Sequence, residues 1–332
     1  MKPTTTHRER LVCGVDDSPA AANVLAVATQ LAEVLGLRLT LVHSPHPDVF
    51  LTGTHRRAAL DRGRALLDRL APDVPAADRI IEIGDPAELL HAVLEDSAEL
   101  AVVGSRGHGA AVAALRGSVS RALARSAPCP LIVVPPHARL NAAAGATVVC
   151  GVDGSVEATA ALEAGGALAR ALGGRLTAVY VRSSTGAAAV PASWAADRWQ
   201  VPVEDGRAAL AIVERAVAGL SADVPKGVCV ESGDPAERLA RVARAQPSAI
   251  LAVGSRGQGA VRAALLGSVS SRLGATAASP VMIMPRTARQ PDLAARRRER
   301  SGDAARPPAA RRRRLRSGRG ASHPRERAPQ AS

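Results

Sequence analysis

The chain has 332 residues, enough for two domains, and 47% of them are hydrophobic but only 1% aromatic, so its cores must be built from Ala, Val, Leu and Ile. No apolar run reaches the length of a membrane span and the N-terminus MKPTTTHRER has no apolar signal region, which leads us to expect a cytoplasmic protein without a membrane partner. The formal charge of +13 is concentrated at one end: Arg286 to Ser332 holds 15 Arg against Asp292, Glu299, Asp303 and Glu326, a net +11, so the remainder is close to neutral.

In chain order, Leu11 to Asp16 reads as a buried parallel strand. Asp17-Ser18-Pro19 opens a helix with cap-type residues and a proline, followed by Val24, Ala28, Leu31 and Leu35 at helical spacing. Leu37 to His43 is the second strand, Arg56 to Leu70 the second helix and Arg79 to Ile83 the third strand. Gly84-Asp85-Pro86 turns into a helix carrying Leu89, Leu90, Val93 and Leu94. An apolar strand from Leu100 to Val103, a glycine-rich loop, a helix from Ser118 to Arg125 and a last strand from Pro130 to Val134 complete the unit. Strands alternating with helices specify a parallel α/β sheet, which binds ligands at the carboxyl ends of its strands.

After a linker from His137 to Ala146 the pattern restarts. Val148 to Asp153 repeats the first strand at an offset of 137, and by Asp223-Val224-Pro225 the offset has become 150. The extra 13 residues fall in Ser183 to Pro202, which holds both tryptophans, Trp194 and Trp199. The expected domains are therefore 9–136 and 147–286, joined by 137–146. Beyond them, 287–332 is rich in Arg, Ala, Pro, Gly and Ser, cannot bury a core, and is expected to be disordered. Cys13, Cys129, Cys150 and Cys229 sit in or beside strands without metal-ligand spacing, as small buried thiols do.

The most informative repeat is the loop after the fourth strand. GSRGHGAAVAALRGSVSRAL from Gly104 and GSRGQGAVRAALLGSVSSRL from Gly254 agree at 14 of 20 positions. Both keep three glycines, Gly104, Gly107 and Gly117, then Gly254, Gly257 and Gly267, each third glycine followed by a serine. Glycine lets backbone N–H groups approach a ligand and form an anion nest, and the next helix adds its N-terminal donors. Ser118 with Val119, and Ser268 with Val269, open that helix; the serine hydroxyls either meet a phosphate or cap it. Arg106 and Arg256, inside the loops, either pair with phosphate or extend into solvent. No GxxxxGK[ST] loop or dinucleotide fingerprint is present, and neither lysine, Lys2 or Lys226, lies near a loop.

The G-x2-G-x9-G-S spacing after the fourth strand of an α/β unit resembles the ATP-binding class of the universal stress protein family, over roughly residues 9 to 286, in tandem. The resemblance implies two five-stranded α/β domains of the adenine nucleotide hydrolase-like type, each with strand order 3-2-1-4-5. It implies ATP, with Mg2+ carried by the nucleotide, as the ligand. It assigns Asp16 and Asp153, at the ends of the first strands, to the adenine or its ribose, and the backbone of Ser44 and Val181, at the ends of the second strands, to the base. A cap for the following helix is the structural alternative for either aspartate. His43-Ser44-Pro45 departs from the usual apolar strand end, so a wetter, looser pocket is expected in the first repeat.

No catalytic residue is assigned: the histidines are scattered, and His43 and His108 have Tyr180 and Gln258 as their counterparts. Slow hydrolysis or autophosphorylation rests on family analogy alone. The expected function is nucleotide-dependent regulation of a partner protein in a stress response. The alternatives are nucleic-acid binding through the arginine tail and a nucleotide-free structural paralogue. Finally, the fifth strands, Leu131 to Val134 and Val281 to Met284, are apolar edges without charges to blunt them, so they are expected to pair antiparallel in an intramolecular pseudo-dimer.

Overall fold

The computed structural model describes residues 10–45, 53–75, 78–105, 117–182, 206–257 and 266–293. The first half runs β1 (Arg10–Gly14), α1 (Ala21–Leu35), β2 (Arg38–His43), α2 (Gly53–Leu70), β3 (Arg79–Ile81), α3 (Pro86–Ser97), β4 (Ala98–Gly104), α4 (Ser118–Ser126) and β5 (Leu131–Val134). The second runs β6 (Thr147–Gly151), α5 (Val156–Ala171), β7 (Arg175–Arg182), α6 (Gly206–Ala218), β8 (Lys226–Ser232), α7 (Pro235–Arg244), β9 (Ala249–Gly254), α8 (Ser268–Thr276) and β10 (Val281–Met284). The segment carrying Trp194 and Trp199 lies outside the described residues.

The strands form one ten-stranded sheet in the order β3-β2-β1-β4-β5-β10-β9-β6-β7-β8. Pairing is parallel within each half and antiparallel at the β5–β10 junction, where Val281 faces Val133, Met282 faces Ile132 and Ile283 faces Leu131. Alternation of side chains along a strand then decides which layer each residue enters. Ile132, Val134, Met282 and Met284 join the core beneath α1 and α5. Leu131, Val133, Val281 and Ile283 join the opposite core with Leu90, Leu123, Leu239 and Leu273. Each core therefore runs through the junction, and every fully buried Leu, Ile or Val in it contributes about 1.5–3 kcal/mol. Two apolar edges that would otherwise template aggregation become the centre of the sheet.

The linker is a packed strap. Ala138, Ala142 and Ala146 are buried, and Asn141 caps a 3-10 turn at Ala142–Ala144. Asn23 of α1 donates to the Ala138 carbonyl at 3.1 Å, and Gln30 accepts from the Ala142 N–H at 3.2 Å. The strap has a second copy after β10. Ala138 N–H donates to Pro135 O at 3.0 Å and Ala288 N–H to Pro285 O at 3.1 Å. Each strap then reaches the opposite half: Arg139 N–H donates to Ala278 O at 3.1 Å, and Arg289 N–H to Pro128 O at 3.0 Å.

The second strap corrects the expectation that disorder begins at residue 287. Thr287 Oγ1 donates to Ala127 O at 3.0 Å, Asp292 N–H donates to Glu99 Oε2 at 2.9 Å, and Leu293 enters the core at 2% exposure. One apolar side chain and a few backbone donors suffice, and neither leaves a periodic pattern. The remainder, 294–332, lies outside the described residues.

Candidate functional site

The first strands stop sooner than expected, at Gly14 and Gly151. Val15 N–H and Val152 N–H still bond the neighbouring strands at Val42 O and Val179 O, both at 2.9 Å, and the chain then turns away. Asp16 and Asp153 accordingly sit in the turn after the strand. Asp153 Oδ1 accepts from Ser155 N–H at 3.0 Å and from Ser155 Oγ at 2.7 Å. Ser155 Oγ in turn accepts from Ala158 N–H at 3.1 Å and caps α5. Asp16 repeats half of this device, accepting from Ser18 N–H at 3.2 Å and Ser18 Oγ at 2.6 Å. Ser18 does not cap α1, however: the helix starts two residues later, behind Ala20, with no side-chain cap. Neither aspartate is itself a helix cap.

In the second half the glycine loop closes onto this turn. A Cβ on Gly257 would collide with Asp153 Oδ2, and one on Gly254 would lie 2.7 Å from Glu157 Cβ and 2.8 Å from its carbonyl carbon. Only glycine permits that approach of loop to carboxylate and helix. The loop's far end returns to its start: Gly267 N–H donates to Ser255 O at 2.8 Å, and Ser270 Oγ donates to Gly267 O at 3.0 Å. A Cβ on Gly267 would sit 3.4 Å from Arg256 Cα, so half-buried Arg256 borders both glycines.

In the first half Gly104 ends β4, and a Cβ on Gly117 would lie 3.4 Å from Ser105 O, the corresponding closure. Ser105 Oγ is buried without a hydrogen-bond partner. Arg106 and Gly107 lie outside the described residues.

The serines after the third glycines do not cap. Gly117 and Gly267 occupy the N-cap positions of α4 and α8 with extended backbone and no side-chain cap bond. Ser118 and Ser268 follow as exposed first helical residues, while Val119 and Val269 pack on the core. The first N–H groups of both helices are thus left to other acceptors, at their positive dipole ends.

At the second strands, the expected loose end of the first half is instead pinned. His43 is buried with its ring against Gly63, and Nδ1–H donates to Val15 O at 2.8 Å. Ser44 Oγ donates to Gly84 O at 2.8 Å. Val181 is half-buried near the end of β7 and packs on the core. Its neighbour Tyr180, in the place of His43, feels Asp153: burial raises the phenol pKa first, the carboxylate raises it further, and Arg182 opposes both.

Cys13 and Cys150 lie behind the two aspartates. Burial pushes the Cys13 thiol up to about 12, with Asp16 adding to the effect, and Cys150 moves the same way for the same two reasons. Both are inert thiols at neutral pH. Among the described residues no three His, Cys, Asp or Glu side chains gather as a metal site, and no helix is long and apolar enough to cross a membrane. Sequence reasoning passed over Glu157 and gave no ligand role to Ser155 or Tyr180. The offset of 137 that pairs His43 with Tyr180 was the available signal for the last of them.

Fold and site define a duplicated α/β protein, with a glycine loop closing on the carboxyl end of the second parallel half-sheet. The model of the universal stress protein family matches residues 7–135 and 146–285, and the chain belongs to that family. Universal stress protein Rv2623 of Mycobacterium tuberculosis is 30% identical over 298 residues, covering 82% of this chain and 95% of that protein. Universal stress protein Rv2005c of the same organism is 30% identical over 307 residues, covering 85% and 98%. Among solved structures, a universal stress protein from Archaeoglobus fulgidus has the same fold at a TM-score of 0.60 and 20% identity, covering 84% of this chain and 99% of that one.

Proposed function

We propose that each half binds one adenine nucleotide, ATP with its Mg2+, and that occupancy regulates a partner protein in the cytoplasm. The observation that carries this reading is the approach of Gly257 to Asp153 beside the uncapped start of α8. It unites the two demands of a nucleotide: N–H donors for phosphate, and a carboxylate acceptor for a ribose hydroxyl or an exocyclic amine. Gly254, Arg256, Gly257, Gly267 and Ser268 hold the phosphates, Val269 supports the helix start, Asp153 orients the nucleoside, and the backbone at Val181 meets the base. In the first half the corresponding roles fall to Gly104, Arg106, Gly107, Gly117, Ser118, Val119, Asp16 and Ser44.

The test is equilibrium titration with ATP and Mg2+ of full-length protein stripped of copurified ligand. Two sites per chain are expected; a stoichiometry near zero overturns the reading, and a value of one limits it to a single half.

A further inference from the structure

Among the described residues, the two halves differ at the carboxyl ends of β7 and β8. Arg182 closes β7, and its Nη2 donates to Ser232 Oγ at 3.0 Å. Gly233 N–H donates to Arg182 O at 2.9 Å, which folds the β8–α7 turn against this arginine. The turn needs glycine, at φ +131, and a Cβ there would lie 2.8 Å from Arg238 Nε, so the Arg238 guanidinium packs on the same turn. Both Nε atoms, of Arg182 and Arg238, are buried without a hydrogen-bond partner.

The nearby carboxylates are taken. Glu231 pairs with Arg241, while Asp234 caps α7 and pairs with Arg272 at 2.5 Å. Among the described residues no carboxylate pairs with Arg182 or Arg238. A buried donor without an acceptor costs free energy, and a guanidinium meets a phosphate through two parallel hydrogen bonds. Tyr180 locates the cluster, since its phenol lies in the field of both Asp153 and Arg182. By the offset of 137 the first half has Pro45 in place of Arg182, and with the helix caps Asp85 and Asp234 aligned it has Leu89 in place of Arg238, neither with a side-chain donor.

We infer that the second half selects a nucleotide bearing a further anionic group on the nucleoside side, away from the phosphates at the glycine loop, and that Arg182 and Arg238 determine this specificity. The inference rests on the nucleotide reading above. A ribose 2′- or 3′-phosphate and the 3′-phosphodiester of a 3′,5′-linked dinucleotide share the required chemistry. The first half, with Pro45 and Leu89, does not discriminate in this way.

The experiment titrates full-length, nucleotide-free protein with AMP, adenosine 2′,5′-bisphosphate, adenosine 3′,5′-bisphosphate and the 3′,5′-linked dinucleotide pApA, with ATP as the control. One of the two sites should take a ligand bearing the extra anion about tenfold more tightly than AMP, the scale of a charge-assisted hydrogen bond. Arg182→Ala and Arg238→Ala should each remove most of that gain and leave AMP affinity unchanged. Should Arg182→Ala fail to fold, Arg182→Gln, which can still donate to Ser232, carries the same test. A gain with a bisphosphate identifies a ribose phosphate as the source; a gain confined to the dinucleotide identifies its 3′-phosphodiester. The inference is overturned if no such ligand outbinds AMP while ATP binds, or if the gain survives in a folded double variant. Failure to bind any of them, ATP included, removes the nucleotide reading itself.

Discussion

The two halves of this chain agree where phosphate would sit and disagree where the nucleoside would sit. Gly104 and Gly117 repeat as Gly254 and Gly267, with helices that start on an uncapped glycine both times. At the second strand, His43-Ser44-Pro45 faces Tyr180-Val181-Arg182. In the first half those side chains are spent on structure, His43 on Val15 O and Ser44 on Gly84 O. In the second, Tyr180 lies in the fields of Asp153 and Arg182 instead. On the proposed reading, a shared backbone device supports two sites whose selectivity is set by Arg182 at a strand end and Arg238 in the helix that follows the next strand. Because β5–β10 joins the halves into one sheet, each can diverge without having to fold alone.

The largest effect should come from breaking that junction. Val133 is fully buried opposite Val281, in a core supplied by both halves. Val133→Lys places an unpaired ammonium there, at a cost on the order of 3–5 kcal/mol. Thermal unfolding should show a large loss of stability together with aggregation, as the edges of β5 and β10 are released. Wild-type stability in this variant would contradict the junction. Cutting the linker between residues 137 and 146 should, by contrast, leave two associated fragments on size exclusion.

The second strap gives the next largest effect. Removal of 294–332 should leave melting unchanged, whereas removal of 286–332 should lower it. Leu293→Ala in the full chain should cost about 2–3 kcal/mol, because Leu293 is buried in the core. Equal melting of both truncations would make the strap dispensable.

At the sites, Gly257→Ala drives a Cβ into Asp153 Oδ2. ATP titration of this variant should lose one of two sites while the other is unchanged. Retention of both would separate loop from carboxylate and undo the geometric basis of the second site.

Much of this was legible in the sequence, for identifiable reasons. The repeat fixes the duplication because identical backbone requirements select identical glycines. The fifth strands announced their pairing because a run such as LIVV has no stable existence at a wet edge. The strap at 286–293 was hidden because its bonds come from main-chain groups that any sequence supplies. The aspartates and the cap-type serines beside them were recognisable, but which serine caps its helix was not. Ser155 caps α5 and Ser18 does not cap α1, although both hydroxyls are held by the same carboxylate geometry. Which N–H a serine meets depends on where the helix begins: α5 starts directly after Ser155, at Val156, and α1 only at Ala21. Ser155→Ala should therefore cost about 1 kcal/mol, and Ser18→Ala visibly less, in chemical denaturation.

The smallest effect concerns acid. Asp85 and Asp234 cap the equivalent helices α3 and α7, accepting from Glu88 N–H at 3.0 Å and Glu237 N–H at 2.9 Å. Only Asp234 has an arginine beside it, because Ala122 stands where the second half has Arg272. Its carboxyl is held below the usual carboxylate range, chiefly by the Glu237 N–H; burial opposes this, and the hydrogen bond and charge of Arg272 add to the lowering. A depressed pKa in the folded state means that the unfolded chain binds this proton more readily. The contribution is therefore fully present above the unfolded pKa of about 3.9 and is lost as pH falls through the folded value. Both side chains are substantially exposed, so the ion pair contributes at most about 1 kcal/mol. Arg272→Ala should accordingly lower stability slightly at pH 6 and have no effect once Asp234 is protonated in strong acid, and added salt should shrink the pH 6 difference. Introducing the missing partner with Ala122→Arg should reproduce the pattern around Asp85. An Arg272→Ala penalty that stayed constant from pH 6 into strong acid would mean that Arg272 acts through packing, and that the two helix caps differ in shape and not in charge.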